Sequence, residues 1–324
     1  MKFPPIYQKS PQILQSIYHL DVLKAAFEMY TITDEQAHAL RRVSLLKSGL
    51  FSARIEGNIL TEDDLAFGIR GREKEKMEIE HLVQGYEYID LHTPNEVSGS
   101  ILQALHSIIG ADVLSEYGHF RTEDSAIFDA SGTAVYLTPA PVNIHALLEE
   151  WYTYVNTSTD DPRIVSAVSH IWFEKIHPFL DGNGRLGRLV SYYILKKHGY
   201  DFGGFVPIEE YIDTHKSEYY YSIGRDTQDV TIFVEYYLTA LHMQATKTIY
   251  ELQHPRIENT HRLSPRRNEL YMLIREQKMM TFDSIRRRFL GVALRTLHYD
   301  LSELQKKGLI KKLGSTRGAV YTSE

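Results

Sequence analysis

The stretch that decides the fold of this 324-residue chain runs from residue 171 to residue 188 and reads IWFEKIHPFLDGNGRLGR. Pro178 has no backbone N–H and disfavours helical geometry at the residue before it. An amphipathic helix is therefore predicted to end near residue 176, and His177 is predicted to lie at the start of the loop that follows. The Gly-Asn-Gly turn at 182–184 can adopt backbone angles that most residues avoid, and a second helix is predicted to begin near Arg185.

The same stretch combines groups that suit a polyphosphate. A glycine-rich turn that opens a helix presents free N–H groups and the positive end of the helix dipole. Arg185 and Arg188 are three residues apart and can reach the same side of the first turn, where two guanidiniums can bind phosphate oxygens. Asp181 is an oxygen ligand suited to Mg²⁺, and His177 is a candidate general base. A metal site made of His177 and Asp181 is the rival interpretation, but Pro178 interrupts the helix on which that spacing relies.

A second motif lies upstream and reads SARIEGN at 52–58. Ser52 and Glu56 are four residues apart and share a helix face, and Gly57 is suited to end the helix. A carboxylate near a helix C-terminus faces the negative end of the dipole, so we expect a cation such as an arginine to hold Glu56. The motif alone also fits a glutamate on a solvated surface.

Residues 177–188 match the whole signature of the Fic family, HPFx(D/E)GNGRxxR, and the chain resembles that family. The resemblance extends to residues 118–121 and 136–141, which look like the family's segment with the target-docking flap. Residues 99–245 look like its all-helical core. The stretch at 52–57 is similar to its inhibitory motif, (S/T)xxxE(G/N).

The resemblance implies a protein adenylyltransferase, which transfers AMP from ATP to a Ser, Thr or Tyr hydroxyl of a protein target or of itself and releases pyrophosphate. His177 would take the proton from that hydroxyl, and Asp181 would hold Mg²⁺ across the phosphates. Arg185 would bind the β-phosphate side and Arg188 the γ-phosphate. The residues that would cradle the phosphates are Gly182, Asn183 and Gly184.

The resemblance also implies autoinhibition. In Fic proteins with this motif, the glutamate pairs with the second arginine of the signature and blocks the γ-phosphate site. The corresponding pair is Glu56 with Arg188. The inhibitory residues would be Ser52, Glu56 and Gly57.

A short β-hairpin is predicted within 127–137, where β-branched and aromatic residues flank a Ser-Gly turn, with an irregular loop as the alternative. The resemblance implies that this flap binds a target segment by adding a strand to it. The residues assigned to docking are Ile127, Phe128, Val135 and Tyr136.

The fold predicted for the whole chain is mainly α: a Fic-type helical core with a hairpin flap, followed by a winged-helix domain. Residues 1–98 form the helical region that carries the inhibitory helix, and residues 99–250 form the catalytic core. A linker at 251–262 leads into the last domain, at 263–324.

The C-terminal segment differs from the rest of the chain in charge. Residues 262–324 contain 14 Lys and Arg against 6 Asp and Glu, a net charge of +8. The remaining residues contain 22 against 36, a net charge of −14. A basic module on an acidic body suggests two modules with different partners.

The basic module resembles a winged helix-turn-helix, in which the third helix enters the major groove of DNA and the wing touches the backbone. Its predicted helices span 268–276, 282–289 and 292–307, and its hairpin strands span 309–313 and 319–321. Winged helices also bind proteins, so DNA and protein are alternative partners. The candidate DNA contacts are Arg295, Thr296, His298, Lys311, Lys312 and Arg317.

The composition narrows the class of protein. The chain has no cysteine, so it has no disulfide and no thiolate zinc site. We expect a cytoplasmic protein without a membrane partner, because the first residues do not resemble a signal peptide and no apolar stretch is long enough to cross a bilayer. A homo-oligomer is compatible with the sequence.

Other functions are compatible with the motifs. One is a DNA-binding regulator whose core only senses nucleotide, which His177 disfavours because a sensor needs no base. Another is removal of AMP by the same site, with Glu56 positioning water. A toxin neutralised by a separate partner is disfavoured because the inhibitory motif lies in the same chain.

Overall fold

The computed structural model describes residues 3–67, 71–92, 96–128, 134–224, 228–254, 263–314 and 319–323. The chain divides into two compact units, Met1–Gln253 and His254–Glu324. None of the described helices is long and apolar enough to cross a membrane.

The first unit is built from helices and one small hairpin. Its α-helices are α1 (Pro11–Met29), α2 (Asp34–Ile55), α3 (Glu62–Phe67), α4 (Glu73–His92), α5 (Gly99–Gly110), α6 (Ile144–Thr157), α7 (Pro162–Ile176), α8 (Asn183–Lys197), α9 (Ile208–Thr214), α10 (Lys216–Gly224) and α11 (Thr231–Gln253). Helix α11 extends three residues into the predicted linker, and residues 255–262 lie outside the described part of the chain.

Helices α7 and α8 lie at the centre of this unit. Asp161 caps α7 by accepting a hydrogen bond from the Arg163 N–H at 3.0 Å, and Pro162 occupies the first helical position, where its missing N–H costs nothing. Phe173 on α7 and Leu189 on α8 are fully buried in the same core. Each such side chain contributes about 1.5–3 kcal/mol by leaving water. The two helices that flank the signature loop therefore have little freedom to move.

Helix α2 brings the upstream motif into the first unit. Thr33 and Gln36 form a capping box at its start. The helix runs to Ile55 with Glu56 as its C-cap, so it ends within the 52–58 motif. Gly57 follows in the left-handed region, with φ of 101°, which favours glycine and ends the helix.

The flap is a hairpin, as predicted, rather than an irregular loop. Strands β1 (Ala126–Phe128) and β2 (Ala134–Leu137) pair antiparallel, with Ile127 opposite Tyr136. The register shifts between Ile127 and Phe128. The Ser-Gly turn of this hairpin falls within residues 129–133, outside the described residues.

The second unit contains three helices and a small antiparallel sheet. The helices are α12 (Pro265–Gln277), α13 (Phe282–Arg288) and α14 (Leu294–Lys306), and the strands are β3 (Met280–Thr281), β4 (Lys311–Leu313) and β5 (Val320–Thr322), in the order β3-β5-β4. Strand β3 was not predicted. Thr281 caps α13 by accepting a hydrogen bond from the Ser284 N–H at 3.2 Å. The winged-helix assignment stays a prediction.

Candidate active site

His177 ends α7 in a strained conformation. Its backbone lies in the left-handed region, with φ of 50° and ψ of 60°, which costs a residue other than glycine about 1–3 kcal/mol. The Nε atom of Arg121 donates to the His177 carbonyl at 2.7 Å, and the Arg121 N–H donates to the Pro178 carbonyl at 2.9 Å. Arg121 therefore fixes the backbone that carries the histidine, a role that was not predicted from the sequence.

The His177 ring is set up to accept a proton. Its Nδ1 atom lies 3.3 Å from the Glu174 carbonyl oxygen, which can only accept, so Nδ1 carries the hydrogen and the neutral ring keeps its lone pair on Nε2. Burial, opposed by the hydrogen bond to Glu174 and assisted by the neighbouring Arg121, lowers the pKa of His177 to about 4. The ring is therefore neutral near pH 7 and can act as a base.

The loop after His177 is held by the side chain of Asn183. Asn183 is only 1% exposed, and its amide accepts from the Phe179 N–H at 2.9 Å and donates to the Phe179 carbonyl at 2.8 Å. Its side chain thus closes the loop, so only its backbone is left to contact a phosphate. Gly182, with φ of 80°, makes the turn into α8, which begins at Asn183, two residues earlier than predicted.

His106 supports the loop from α5. Its Nδ1 atom accepts from the Gly118 N–H at 2.9 Å, so Nε2 carries the hydrogen and donates to the Asp181 carbonyl at 2.8 Å. Burial lowers the pKa of His106 to about 4, which keeps this tautomer neutral. No sequence pattern pointed to His106, because its partner lies 75 positions further along the chain.

The two signature arginines are held by different helices. Arg185 bonds to Glu78 of α4 and donates to Asp181 Oδ1 at 2.9 Å. Arg188 is directed toward the end of α2, where its Nε atom donates to Ser52 Oγ at 2.9 Å.

Arg188 forms the pair that the sequence predicts with Glu56. Its Nη2 atom lies 2.8 Å from Glu56 Oε1 and also donates to the Ser52 carbonyl at 3.0 Å. Burial alone would lower the pKa of Arg188, but the Glu56 carboxylate raises it above the usual range. The inhibitory roles of Ser52, Glu56 and Gly57 stay predictions.

These groups surround a pocket of about 280 Å³. Its described lining includes Glu56 from the end of α2, His177, and the loop that opens α8. The other lining residues come from β1, α7, the signature loop and α10: Ser125, Ala126, Ile127, Glu174, Leu180, Asp181, Gly182, Asn183, Gly184, Tyr219, Tyr220 and Ile223. Arg185 and Arg188 are not among the described lining residues. They bind Asp181 and Glu56, respectively, which do line the pocket.

Two tyrosines of α10, Tyr219 and Tyr220, line the pocket. The Tyr219 hydroxyl lies 2.7 Å from His170 Nε2, and the Tyr220 hydroxyl donates to the Ile55 carbonyl at 3.0 Å. Both tyrosines therefore pack against neighbouring protein groups as well as lining the pocket.

The docking candidates of the flap differ in their surroundings. Ile127 lines the pocket. Tyr136 is only 6% exposed, and the Lys175 ammonium lies 3.9 Å from the centre of its ring. The docking role of the flap stays a prediction. The side chains of Phe128 and Val135 lie outside the described part of the structure.

The predicted DNA contacts fall on α14 and β4 of the second unit. Arg295, Lys311 and Lys312 are exposed, and Thr296 is half-buried. His298 is exposed but stacks on Phe282, with ring centres 3.9 Å apart. Arg317 lies outside the described residues.

The helical core, the flap and the signature loop define a Fic-type fold. A Fic family protein from Desulfovibrio desulfuricans has the same fold at a TM-score of 0.68, with 22% identity over 99% of this chain and 98% of that one. Fic-1 from Caenorhabditis elegans, residues 134–508, superposes with a TM-score of 0.62 at 19% identity, covering 75% of this chain and 74% of that one.

Sequence comparison assigns the family. Residues 96–195 match the Fic/DOC family. A Fido domain-containing protein from Dictyostelium discoideum is 33% identical over 124 residues, which are 36% of this chain and 82% of that protein. The chain belongs to the Fic/DOC family.

More distant relatives carry a functional name. The protein adenylyltransferase Fic of Drosophila melanogaster is 26% identical over 213 residues, covering 60% of this chain. The match spans 42% of that relative's length.

Proposed function

We propose that this chain is a protein adenylyltransferase that transfers AMP from ATP to a hydroxyl group of a protein. One observation carries the proposal: a neutral His177 with its lone pair on Nε2 lines the same pocket as the glycine turn that opens α8. Attack of a hydroxyl on a phosphate requires a base to take the proton and a site that binds the phosphate. His177 and the N-terminus of α8 supply both in one pocket. The relatives named protein adenylyltransferase support the same reaction.

The chain's own groups account for the steps. The target hydroxyl gives its proton to His177 Nε2 as its oxygen forms a bond to the α-phosphorus. The bond between the α-phosphorus and the bridging oxygen to the β-phosphate breaks, and pyrophosphate leaves. The backbone N–H groups at the start of α8 stabilise the charge on the phosphate oxygens. Catalysis of this kind depends on positioning and charge stabilisation rather than on a covalent enzyme intermediate.

Asp181 fits the magnesium ion that the reaction implies. Its carboxylate lines the pocket and is 63% exposed, and oxygen ligands of this kind suit Mg²⁺. The Gly182 N–H and Arg185 both bind Asp181 Oδ1 and fix the orientation of the carboxylate. When bound, Mg²⁺ would neutralise charge on the phosphates.

The pair between Glu56 and Arg188 supports autoinhibition. Arg188 cannot satisfy both the Glu56 carboxylate and a γ-phosphate, so ATP is expected to bind poorly until Glu56 leaves. Because Glu56 follows the last turn of α2, a shift of that turn would release it. The same carboxylate lines the pocket and could orient water, which supports removal of AMP as a second reaction.

The proposal is tested by self-labelling with ATP that carries a radioactive α-phosphate. We expect weak labelling by the wild type, strong labelling by Glu56→Gly, and none by the double variant Glu56→Gly/His177→Ala. Glu150→Gln, which changes an exposed glutamate of α6, is the matched control and should label like the wild type. Folded Glu56→Gly protein that binds ATP without becoming labelled would favour AMP removal or nucleotide sensing instead.

The second unit supports DNA as a further partner. Its second and third helices and β4 carry exposed cations, and basic side chains bind the phosphate backbone. The described exposed cations of these elements are Arg286, Arg287, Arg288, Arg295, Lys306, Lys311 and Lys312.

Fluorescence anisotropy of the full chain with a labelled duplex tests this interaction. We expect binding that weakens as salt rises, and Arg295→Glu should weaken it about tenfold or more. Lys278→Glu reverses an exposed charge outside the predicted contact set and should have a smaller effect. Binding that is absent at low salt would leave protein as the partner of this unit.

A further inference from the structure

Glu174 is a buried acid to which the proposed reaction assigns no role. It lies one turn before His177 on α7, and its carboxyl group lines the pocket although its side chain is only 7% exposed. Its Oε1 atom makes no hydrogen bond to any described residue. A buried polar atom of this kind costs about 1–3 kcal/mol unless a ligand satisfies it.

A second unsatisfied atom lies close to it. Among the described residues, Arg188 Nη1 is also buried without a hydrogen-bond partner. Both atoms lie close to Gly184. A Cβ placed on this glycine would be 3.3 Å from Glu174 Oε1 and 3.2 Å from Arg188 Nη1. The same point is 2.3 Å from Glu56 Oε1, so two carboxyl groups and one guanidinium converge on the start of α8.

The charges of this cluster indicate which form Glu174 takes. Two ionised carboxylates beside one buried guanidinium would leave an uncompensated negative charge. Burial and then Glu56 raise the pKa of Glu174 to about 8, against the opposing effects of Arg188 and Lys175. Glu174 is therefore mainly a neutral acid near pH 7.

Among the described residues, the histidine and the two tyrosines that face Glu174 supply no compensating cation. His170 lies 4.0 Å away on the same helix, and burial lowers its pKa to about 3, so it is uncharged. Tyr219 and Tyr220 face the cluster from α10, and burial raises the pKa of each, so both remain neutral phenols.

We propose that Glu174 contacts the terminal phosphate of bound ATP as a neutral carboxylic acid and donates a hydrogen bond to a phosphate oxygen. This inference rests on the proposed function only in taking ATP as the ligand. The phosphate would replace Glu56 as the single anion beside Arg188. An ionised Glu174 would repel the phosphate and compete with it for Arg188. The affinity for ATP therefore depends on whether Glu174 carries its proton.

The direction of the pH effect follows from linkage. Because ATP binds the protonated form, affinity is highest below the pKa of Glu174 and falls as the pH rises through it. The fall approaches about tenfold per pH unit for a single proton. A variant with glutamine at this position keeps a neutral donor and should lose this dependence.

The test measures binding rather than transfer. The dissociation constants of the α,β-methylene analogue of ATP and of AMP are determined by calorimetry from pH 6 to pH 9, in Glu56→Gly and in Glu56→Gly/Glu174→Gln. The dissociation constant of Glu56→Gly is divided by that of Glu56→Gly/Glu174→Gln. This ratio cancels the titration of the nucleotide, which is the same for both proteins. Removing Glu56 lowers the pKa of Glu174, because Glu56 raises it, so the rise in the ratio begins below pH 8.

We expect this ratio to rise by more than about tenfold across the range for the ATP analogue, since the pKa of Glu174 lies below 8 in this background, and to stay constant for AMP, which lacks the terminal phosphate. The control Glu56→Gly/Glu150→Gln should give a ratio near one at every pH. A ratio that is constant or falls with pH for the ATP analogue would overturn the role of Glu174, and so would equal losses for both nucleotides. Absence of analogue binding would overturn the proposed function as well, whereas failure of AMP transfer alone would leave this result standing.

Discussion

Replacement of Glu56 by glycine should tighten ATP binding by a predictable amount. The Glu56 carboxylate accepts one hydrogen bond from Arg188 at 2.8 Å, and Arg188 is buried. A charge-assisted hydrogen bond of this kind contributes about 1.5–3 kcal/mol. Since ATP must displace Glu56 to reach Arg188, Glu56→Gly should lower the dissociation constant by about 10- to 150-fold.

Two matched variants refine this prediction. Glu56→Gln keeps a neutral acceptor, whose hydrogen bond is about half as strong, so the gain should be about 3- to 10-fold. Glu150→Gln should change nothing, because that glutamate is exposed on α6. Titration calorimetry with the α,β-methylene analogue of ATP measures all four proteins without turnover. An affinity of folded Glu56→Gly within twofold of the wild type would refute the idea that Glu56 occupies a nucleotide site.

Three further predictions concern the catalytic loop. His177→Ala in the Glu56→Gly background should reduce transfer by about 10²- to 10⁴-fold while ATP binding persists, as initial rates and calorimetry would show. Because the pKa of His177 is lowered to about 4, transfer at saturating ATP should hold until the pH falls toward 4, and loss near the ordinary value of about 6.5 would contradict the buried ring. Asn183→Ala should reduce the free energy of unfolding by about 1–3 kcal/mol, since it leaves the buried Phe179 N–H and carbonyl without partners; an unchanged denaturant midpoint would argue against that role.

Local rules predict much of the site. Pro178 ends α7 and leaves His177 at the helix terminus, and Gly182 supplies the left-handed turn into α8. Gly57 likewise ends α2 beside Glu56. These features depend on backbone preferences of one or two residues, which a sequence states directly.

The remaining features depend on contacts between distant segments. Arg121 reaches the His177 carbonyl from 56 positions away, and no spacing rule connects the two. The burial of Tyr136 against Lys175 could not be anticipated either, because alternation along a short strand does not reveal which face is covered. Glu174 lies inside the quoted stretch, yet only the convergence of α2, α7 and α8 makes it a buried acid.

The most direct test of adenylyl transfer compares two labels on ATP. Glu56→Gly protein is incubated with ATP labelled on the α-phosphate or on the γ-phosphate, and the modified residue is identified by mass spectrometry. The proposed reaction predicts α-label on a Ser, Thr or Tyr side chain with the added mass of one AMP, and γ-label only in released pyrophosphate. Incorporation of γ-label into protein, or no incorporation by folded protein that binds ATP, would contradict it.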